Sequence, residues 1–253
     1  MREDGTGEVR SVGESIGVAI MIVALSASCG GSTDSKPEAV PAVPVKSTTV
    51  ASARATSPAA SEDVRVLIVG TSLTAGLGLD PDSAYPAALQ RLADSAGYRV
   101  TVVAAGLSGE TSAGALRRVD WLLRDRADVV VIETGANDGL RGLDPDSTRA
   151  NMVAIIAKVR AANPSVKVLL AQMEAPPNLG QRYTRRFRDG FLTVAREQGV
   201  TLIPFFLKGV AGVARLNQDD GIHPTAEGAR FAAQNMWRVL GPVLRETSGA
   251  RAR

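Results

Sequence analysis

The chain has 253 residues, 45% of them hydrophobic, and a formal net charge of +3. This length and apolar content allow one domain of ordinary size with further segments outside it. Arginines are mixed with acidic residues over 117–126, which indicates solvated helix faces and argues against a nucleic-acid partner. Because Cys29 is the single cysteine and His223 the single histidine, the sequence excludes an intrachain disulfide and a thiolate metal cluster.

Residues 1–29 have the features of an export signal. The apolar run 16–25 has the length of a signal-peptide hydrophobic segment and is too short to span a bilayer. The small residues that follow, ending at Cys29, resemble the lipobox of bacterial lipoproteins, whose cysteine is lipidated. The leucine, however, lies four places before Cys29 instead of three, and acidic residues are mixed with the arginines before the run. We expect an exported protein of the periplasm or cell envelope, either tethered to the membrane through lipidated Cys29 or cleaved with a leftover cysteine.

Segment 30–62 predicts a disordered tether. It is rich in Pro, Ala, Ser and Thr and contains no aromatic residue, so it cannot bury enough surface to offset its ordering entropy. The folded domain is predicted to span residues 63–246. Residues 247–253 are then a predicted disordered tail.

Strand and helix patterns alternate across the predicted domain. Short apolar runs predict five strands, at 64–69, 99–104, 128–134, 166–171 and 200–205. Amphipathic segments predict five helices, at 83–96, 111–125, 147–162, 183–198 and 225–240. This alternation favours a three-layer α/β/α sandwich around a five-stranded parallel sheet. Ligands of such sheets lie beyond the carboxyl ends of the strands, at the point where the strand order switches.

The single histidine indicates one half of a catalytic system. An imidazole base near neutral pH must be His223, and Asp220 lies three residues before it. A carboxylate that accepts from one ring nitrogen leaves the other facing a substrate, as in Ser-His-Asp enzymes. Asp219 is an alternative orienter, and the nucleophile is then a serine or Cys29.

Loops after the first three strands bring candidate partners to the same edge of the sheet. The first contains Ser72, the second Gly109 and the third Asn137. The N–H groups of Ser72 and Gly109, with the Asn137 carboxamide, would supply an oxyanion hole. A glycine at 109 would let its N–H approach the oxyanion with no Cβ in the way. Singly, Ser72 is also typical of a helix cap and Asn137 of a turn.

These motifs occur in a defined order along the chain: Gly70-Thr-Ser72-Leu, Gly109, Gly135-Ala-Asn137-Asp and Asp220-Gly-Ile-His223. Together they resemble the four blocks of the SGNH (GDSL) hydrolase family, over residues 64–245. The details around Asn137 and His223 are similar to its branch of periplasmic acyl-thioesterases, lysophospholipases and arylesterases. The resemblance implies a flavodoxin-like fold, Ser72 as nucleophile, His223 as base, Asp220 as orienter, and oxyanion donors from Ser72, Gly109 and Asn137. The family usually has Asp where this chain has Thr71, a change expected to alter local hydrogen bonding more than chemistry.

We therefore predict a monomeric serine esterase that uses no metal or cofactor. Its substrate would be a small-molecule carboxylic ester or thioester, or a lysophospholipid-like ester. The candidates for an acyl-binding groove are the apolar side chains in or beside the site loops: Leu73, Leu140, Leu143, Leu179 and Ile222. Two alternatives stay open, a carbohydrate O-acetyl esterase of the same fold and a catalytically weak surface lipoprotein that binds a ligand.

Overall fold

The computed structural model describes residues 63–251. The predicted signal peptide, the lipidation candidate Cys29 and the predicted tether 30–62 lie outside the described residues.

A five-stranded parallel sheet runs through this domain. Its strands are β1 (Val64–Gly70), β2 (Val100–Gly106), β3 (Val129–Ile132), β4 (Lys167–Ala171) and β5 (Thr201–Ile203). The spatial order is β2-β1-β3-β4-β5. The central strands are nearly continuous runs of buried Val, Ile and Leu, as expected where helices cover both faces of a parallel sheet. From β2 the chain returns to the other side of β1, so the strand order switches between β1 and β3.

Helices complete the predicted three-layer sandwich. They are α1 (Ser72–Ala75), α2 (Tyr85–Ser95), α3 (Ser112–Leu122), α4 (Ala136–Leu140), α5 (Pro145–Ala162), α6 (Gln181–Gln198) and α7 (Ala226–Arg251). Helix α2 packs against α7, and α5 packs against both α3 and α6. The predicted α/β/α fold is confirmed. Among residues 63–251, no helix is both long and apolar enough to cross a membrane.

The structure departs from the predicted elements most clearly at α4 and α7. Residues 136–140, expected as a loop, form helix α4 because the buried Asp138 carboxylate accepts from Ser112 N and Oγ at 2.8 and 2.6 Å. Helix α7 continues to Arg251, past the predicted helix end at 240 and the predicted domain end at 246. Its extra turns pack onto the core through Leu244, which is fully buried.

Candidate active site

A tight loop before α7 carries the histidine. The Gln218 N–H donates to the His223 carbonyl at 2.7 Å. Between them the chain turns at Gly221, whose φ of +70° lies in the left-handed region that glycine adopts readily. One Asp220 oxygen accepts from the N–H groups of Ile222 and His223, both at 2.9 Å. These bonds hold the carboxylate and the imidazole on the same loop.

Ser72, His223 and Asp220 form a continuous hydrogen-bonded chain. His223 Nε2 lies 2.8 Å from Ser72 Oγ, and His223 Nδ1 lies 2.6 Å from Asp220 Oδ2. The side chains of His223 and Asp220 are 16% and 45% exposed, so the pair opens to solvent at the carboxylate. Within residues 63–251, His223 Nδ1 is hydrogen-bonded to Asp220 and not to Asp219.

The charge on Asp220 determines which ring nitrogen carries the proton. Its hydrogen bonds from the His223 ring and from the His223 and Ile222 amides lower the Asp220 pKa to about 2. The carboxylate is therefore ionised near neutral pH and can only accept, so in the neutral imidazole the proton belongs on Nδ1. Nε2 is left with a lone pair toward the Ser72 hydroxyl.

Ser72 begins the one-turn helix α1 directly after β1. The Thr71 carbonyl accepts from the Ala75 N–H at 2.9 Å, and the turn ends at Gly76 with φ +68°. Since Ser72 is the first helical residue, its N–H has no carbonyl partner within the helix. Ser72 thus offers two groups to a substrate, its hydroxyl and a backbone N–H that is not bonded within the helix.

The Gln218 side chain joins the serine loop to the histidine loop. Its Nε2 donates to the carbonyls of Leu77 and Pro224 at 2.8 and 2.9 Å. A Cβ added at Gly78 would lie 2.2 Å from Gln218 Oε1, so the absence of a side chain at 78 gives this glutamine its room. We did not predict this contact, because the joined segments are far apart in the sequence.

Gly109 lies in the loop after β2 with φ +75°. Its N–H makes no hydrogen bond within residues 63–251, so it can serve as a donor to a bound oxygen. A Cβ at this position would meet only Arg141 Nη2 at 3.7 Å, an ordinary contact. Backbone conformation therefore favours glycine here, and the expectation that a Cβ would obstruct a bound oxyanion stays a prediction.

Asn137 is presented by α4 after β3. Its Nδ2 donates one hydrogen to the Glu110 carbonyl at 2.9 Å, which leaves the second hydrogen for a ligand. This bond links the loops after β2 and β3, the two that carry Gly109 and Asn137.

An ion pair beneath these loops holds them against the sheet. Arg118 on α3 donates to both carboxylate oxygens of Glu110, and its Nη2 also donates to the carbonyls of Gly70 and Ala105 at 3.1 and 2.9 Å. The Glu110 side chain is 4% exposed. The guanidinium thus ties the ends of β1 and β2 to the residue whose carbonyl orients Asn137.

The predicted acyl-groove residues differ in their exposure. Leu73 is buried and lines a narrow apolar cavity that also reaches Ser72 and His223. The cavity is also lined by Leu79, Phe206 and Leu207, which the sequence did not suggest. The remaining predicted residues lie outside it: Leu140, Leu143 and Ile222 are exposed, and Leu179 is half-buried beside Gly142.

Glu133, directly after β3, is a further residue that the sequence analysis missed. Its carboxylate accepts from the N–H and Oγ1 of Thr71, at 2.9 and 3.0 Å, and from Thr74 Oγ1 at 2.7 Å. The residue is fully buried. One acidic residue at the end of an otherwise apolar strand was the available signal.

A serine bonded to a carboxylate-oriented histidine, at the switch point of a parallel α/β sheet, has the arrangement of a serine hydrolase. Comparison with known proteins agrees. The chain belongs to the GDSL-like Lipase/Acylhydrolase family, whose sequence profile matches residues 68–231. The predicted SGNH family membership is thereby confirmed.

Named relatives match about seven tenths of this chain. Esterase TesA of Pseudomonas aeruginosa is 44% identical over 181 residues, which are 71% of this chain and 89% of the relative. Thioesterase 1/protease 1/lysophospholipase L1 of Escherichia coli is 38% identical over 72% of this chain and 86% of the relative. The crystal structure of TesA has a TM-score of 0.68 at 42% identity and covers 71% of this chain and 99% of its own. The structure of the esterase EstA from Pseudoalteromonas has a TM-score of 0.68 at 34% identity and covers 72% of this chain and 100% of its own. The protein is a serine esterase.

Proposed function

We propose that Ser72 is the nucleophile of this esterase, His223 its general base and Asp220 the carboxylate that orients the histidine. The observation that carries this assignment is the position of the imidazole, 2.8 Å from Ser72 Oγ and 2.6 Å from Asp220 Oδ2. Both distances are in the range expected of a nucleophile–base–orienter system.

The proposed reaction proceeds through an acyl-enzyme. His223 Nε2 takes the proton of the Ser72 hydroxyl while Oγ bonds to the ester or thioester carbonyl carbon. The imidazolium then returns that proton to the leaving alcohol or thiol as the C–O or C–S bond breaks. Water attacks the acyl-serine in the second half, again giving its proton to His223, and releases the carboxylic acid with Ser72 restored.

The negative oxygen of each tetrahedral intermediate would be bound by three donors from three loops. They are the N–H groups of Ser72 and Gly109 and the second Nδ2 hydrogen of Asn137. The Glu110 carbonyl supports this role because it occupies the first hydrogen and fixes the plane of the amide. Donors that are oriented before the reaction stabilise the charge without reorganising during it.

The apolar cavity beside Ser72 favours an apolar acyl or aryl group in the substrate. Leu73, Leu79 and Phe206 offer no hydrogen-bonding side chains to a sugar. The apolar lining favours a small-molecule ester or thioester, including a lysophospholipid-like ester. The cavity itself holds only about 10 Å³, so an acyl chain would lie over the exposed surface that Leu140 and Leu143 contribute to.

Hydrolysis of p-nitrophenyl acetate, butyrate and octanoate by the purified protein tests the assignment. Ser72→Ala should abolish turnover, while Ser95→Ala, at an exposed serine on α2, should leave it unchanged. Turnover of acetate alone would point to the O-acetyl esterase instead. A folded protein that turns over no ester, but melts at higher temperature with a ligand, would favour the binding protein.

We also propose that the protein is exported and works as a monomer. The signal-like segment 1–29 supports export, and its two possible fates differ in a measurable way. If Cys29 is lipidated, the protein will fractionate with membranes and Cys29→Ser will release it. If the signal is simply cleaved, both forms will be free of membranes.

A further inference from the structure

Glu133 lies beneath the helix that carries the proposed nucleophile. Its Oε2 accepts from the Thr71 N–H at 2.9 Å and from Thr74 Oγ1 at 2.7 Å, and its Oε1 accepts from Thr71 Oγ1 at 3.0 Å. Thr71 directly precedes Ser72, and Thr74 follows Ser72 by two residues. The carboxylate therefore binds α1 on both sides of Ser72.

The burial of this carboxylate is unusual. Thr71, Thr74 and Glu133 are at most 2% exposed, and no lysine or arginine of residues 63–251 forms an ion pair with Glu133. Acidic side chains are rarely buried so completely unless they are paired. Gly70 makes room for it, since a Cβ there would lie 1.9 Å from Thr74 Oγ1 and 2.6 Å from Glu133 Oε2. The fold keeps space for an isolated carboxylate where an apolar side chain would pack more simply.

We propose that Glu133 is a positioning residue for the nucleophile: its ionised carboxylate holds Thr71 and Thr74 and thereby fixes the hydroxyl and the N–H of Ser72 in their reactive positions. The Thr71 N–H that Glu133 binds belongs to the peptide unit directly before the one that carries the Ser72 N–H. Ser72 must satisfy two geometric demands at once, toward His223 and toward the oxyanion. A rigid support on both sides of it serves both demands.

The direction of the hydrogen bonds makes the support depend on the charge of Glu133. Ionised, the carboxylate accepts from all three donors. Protonated, it must itself donate to one of the two threonine hydroxyls, because a hydroxyl can reverse its role while the Thr71 N–H cannot. Burial raises the Glu133 pKa from 4.5 to about 7, so both forms are accessible in the pH range of an activity assay.

Other ionisable groups approach the residues that Glu133 binds. Tyr85 on α2 lies 2.6 Å from Thr74 Oγ1, and burial raises its pKa, so it stays a neutral hydroxyl. Because Thr74 Oγ1 donates to Glu133, Tyr85 is the donor to Thr74. Arg118 on α3 reaches the Gly70 carbonyl, and its charge is matched by Glu110. Glu133 is thus the group whose titration would change the support.

The test compares wild type with Glu133→Gln, which has the shape of the protonated acid but cannot ionise. At pH 8.5 we expect kcat for p-nitrophenyl butyrate to fall by about tenfold or more, within the range of positioning effects, with little change in KM. At pH 5.5 the wild-type carboxyl is itself protonated, so the ratio of the two kcat values should approach one. A ratio that is the same at both pH values, or no loss at all, would overturn the proposal.

A matched pair at residue 71 keeps the test decisive if Glu133→Gln does not fold. Thr71→Ser retains the hydroxyl donor, and Thr71→Val replaces it with a methyl group of similar size. At pH 8.5 we expect the wild-type kcat for the serine variant and a clear loss for the valine variant. Because the valine variant lacks one donor to the carboxylate, the pH at which its kcat increases should also be higher. Equal kcat and equal pH profiles for the two variants would contradict the role of the Thr71–Glu133 bond.

This inference rests on the proposed function, in which Ser72 is the nucleophile. A second readout distinguishes failure of the positioning role from failure of the nucleophile assignment. A fluorophosphonate forms an Oγ–P bond with an activated serine, releases fluoride and passes the serine proton to the histidine. Labelling that Ser72→Ala abolishes would identify the serine even without ester turnover. The same pH-dependent ratio between wild type and Glu133→Gln is expected for the labelling rate, and a ratio independent of pH would refute the positioning role.

Discussion

The buried carboxylate of Glu133 should make the protein less stable as the pH rises from 4.5 to 7. In this window the unfolded chain has released the proton of this residue, because its ordinary pKa is 4.5, while burial raises the folded-state pKa to about 7 and retains it. Stability falls with pH wherever the folded state binds more protons. The rise in pKa corresponds to roughly 3 kcal/mol at about 1.4 kcal/mol per unit. That is a large part of the stability of an ordinary domain, about 5–15 kcal/mol.

Urea denaturation at intervals from pH 4.5 to 8 measures this effect. Glu133→Gln removes the titration, so the free energy of unfolding of wild type minus that of the variant should drop by roughly 3 kcal/mol across the window and then level off. Glu246→Gln, at an exposed carboxylate on α7, is the control and should run parallel to wild type. The lowered pKa of Asp220 does not interfere, since its stabilisation is complete above 3.8 and is lost only as the pH falls toward 2. A difference that stays constant with pH would refute the reasoning.

Three further substitutions test the proposed catalytic groups. Asn137→Ala removes an oxyanion donor and should lower kcat about a hundred- to a thousandfold, while hydrolysis stays above background; wild-type turnover would exclude this role. In Asp220→Asn the side-chain oxygen can still accept from the loop amides, but Nδ2 would donate to the histidine and shift the ring proton to Nε2. We therefore expect kcat to fall at least about a hundredfold, with an unchanged melting temperature as the control for folding. Gly109→Ala strains a residue at φ +75° and should cost roughly 1–2 kcal/mol and much of the activity. Gly97→Ala, at φ +75° with open space around it, should show the stability loss alone. If Gly97→Ala and Gly109→Ala lost the same activity, Gly109 would not be an oxyanion donor.

The sequence was sufficient to predict the sheet and the edge of the sheet at which the site lies. Apolar runs separated by amphipathic helices indicate parallel strands, and the carboxyl ends of such strands converge whatever the details of packing. The residues placed there by the motif blocks, Ser72, Gly109, Asn137 and His223, come from separate loops that the structure brings to this edge. The local geometry of α4 was missed, since Asn-Asp-Gly is typical of a turn and the contact of Asp138 with α3 that stabilises a helix is not visible locally.

Contacts between distant segments were beyond the reach of sequence patterns. The Gln218 bridge and the Thr71–Glu133 bonds each depend on packing between elements, and neither has a local spacing that predicts it. The same limit explains the groove. Leucines in the loops were the natural candidates, yet the cavity wall comes partly from Phe206 and Leu207, which follow the predicted fifth strand.

The hydrogen bond between Ser72 and His223 joins residues 151 positions apart in the chain. The histidine loop leads directly into α7, which packs against α2 and contacts β1. A folding intermediate that has built the sheet but has not docked its last helix would therefore hold a serine without a base. Recovery of ester hydrolysis during refolding should follow this final docking step and lag behind the return of secondary structure measured by circular dichroism. If Ser72 and His223 act together as proposed, ester hydrolysis depends on the docking of the segment that leads into the C-terminal helix.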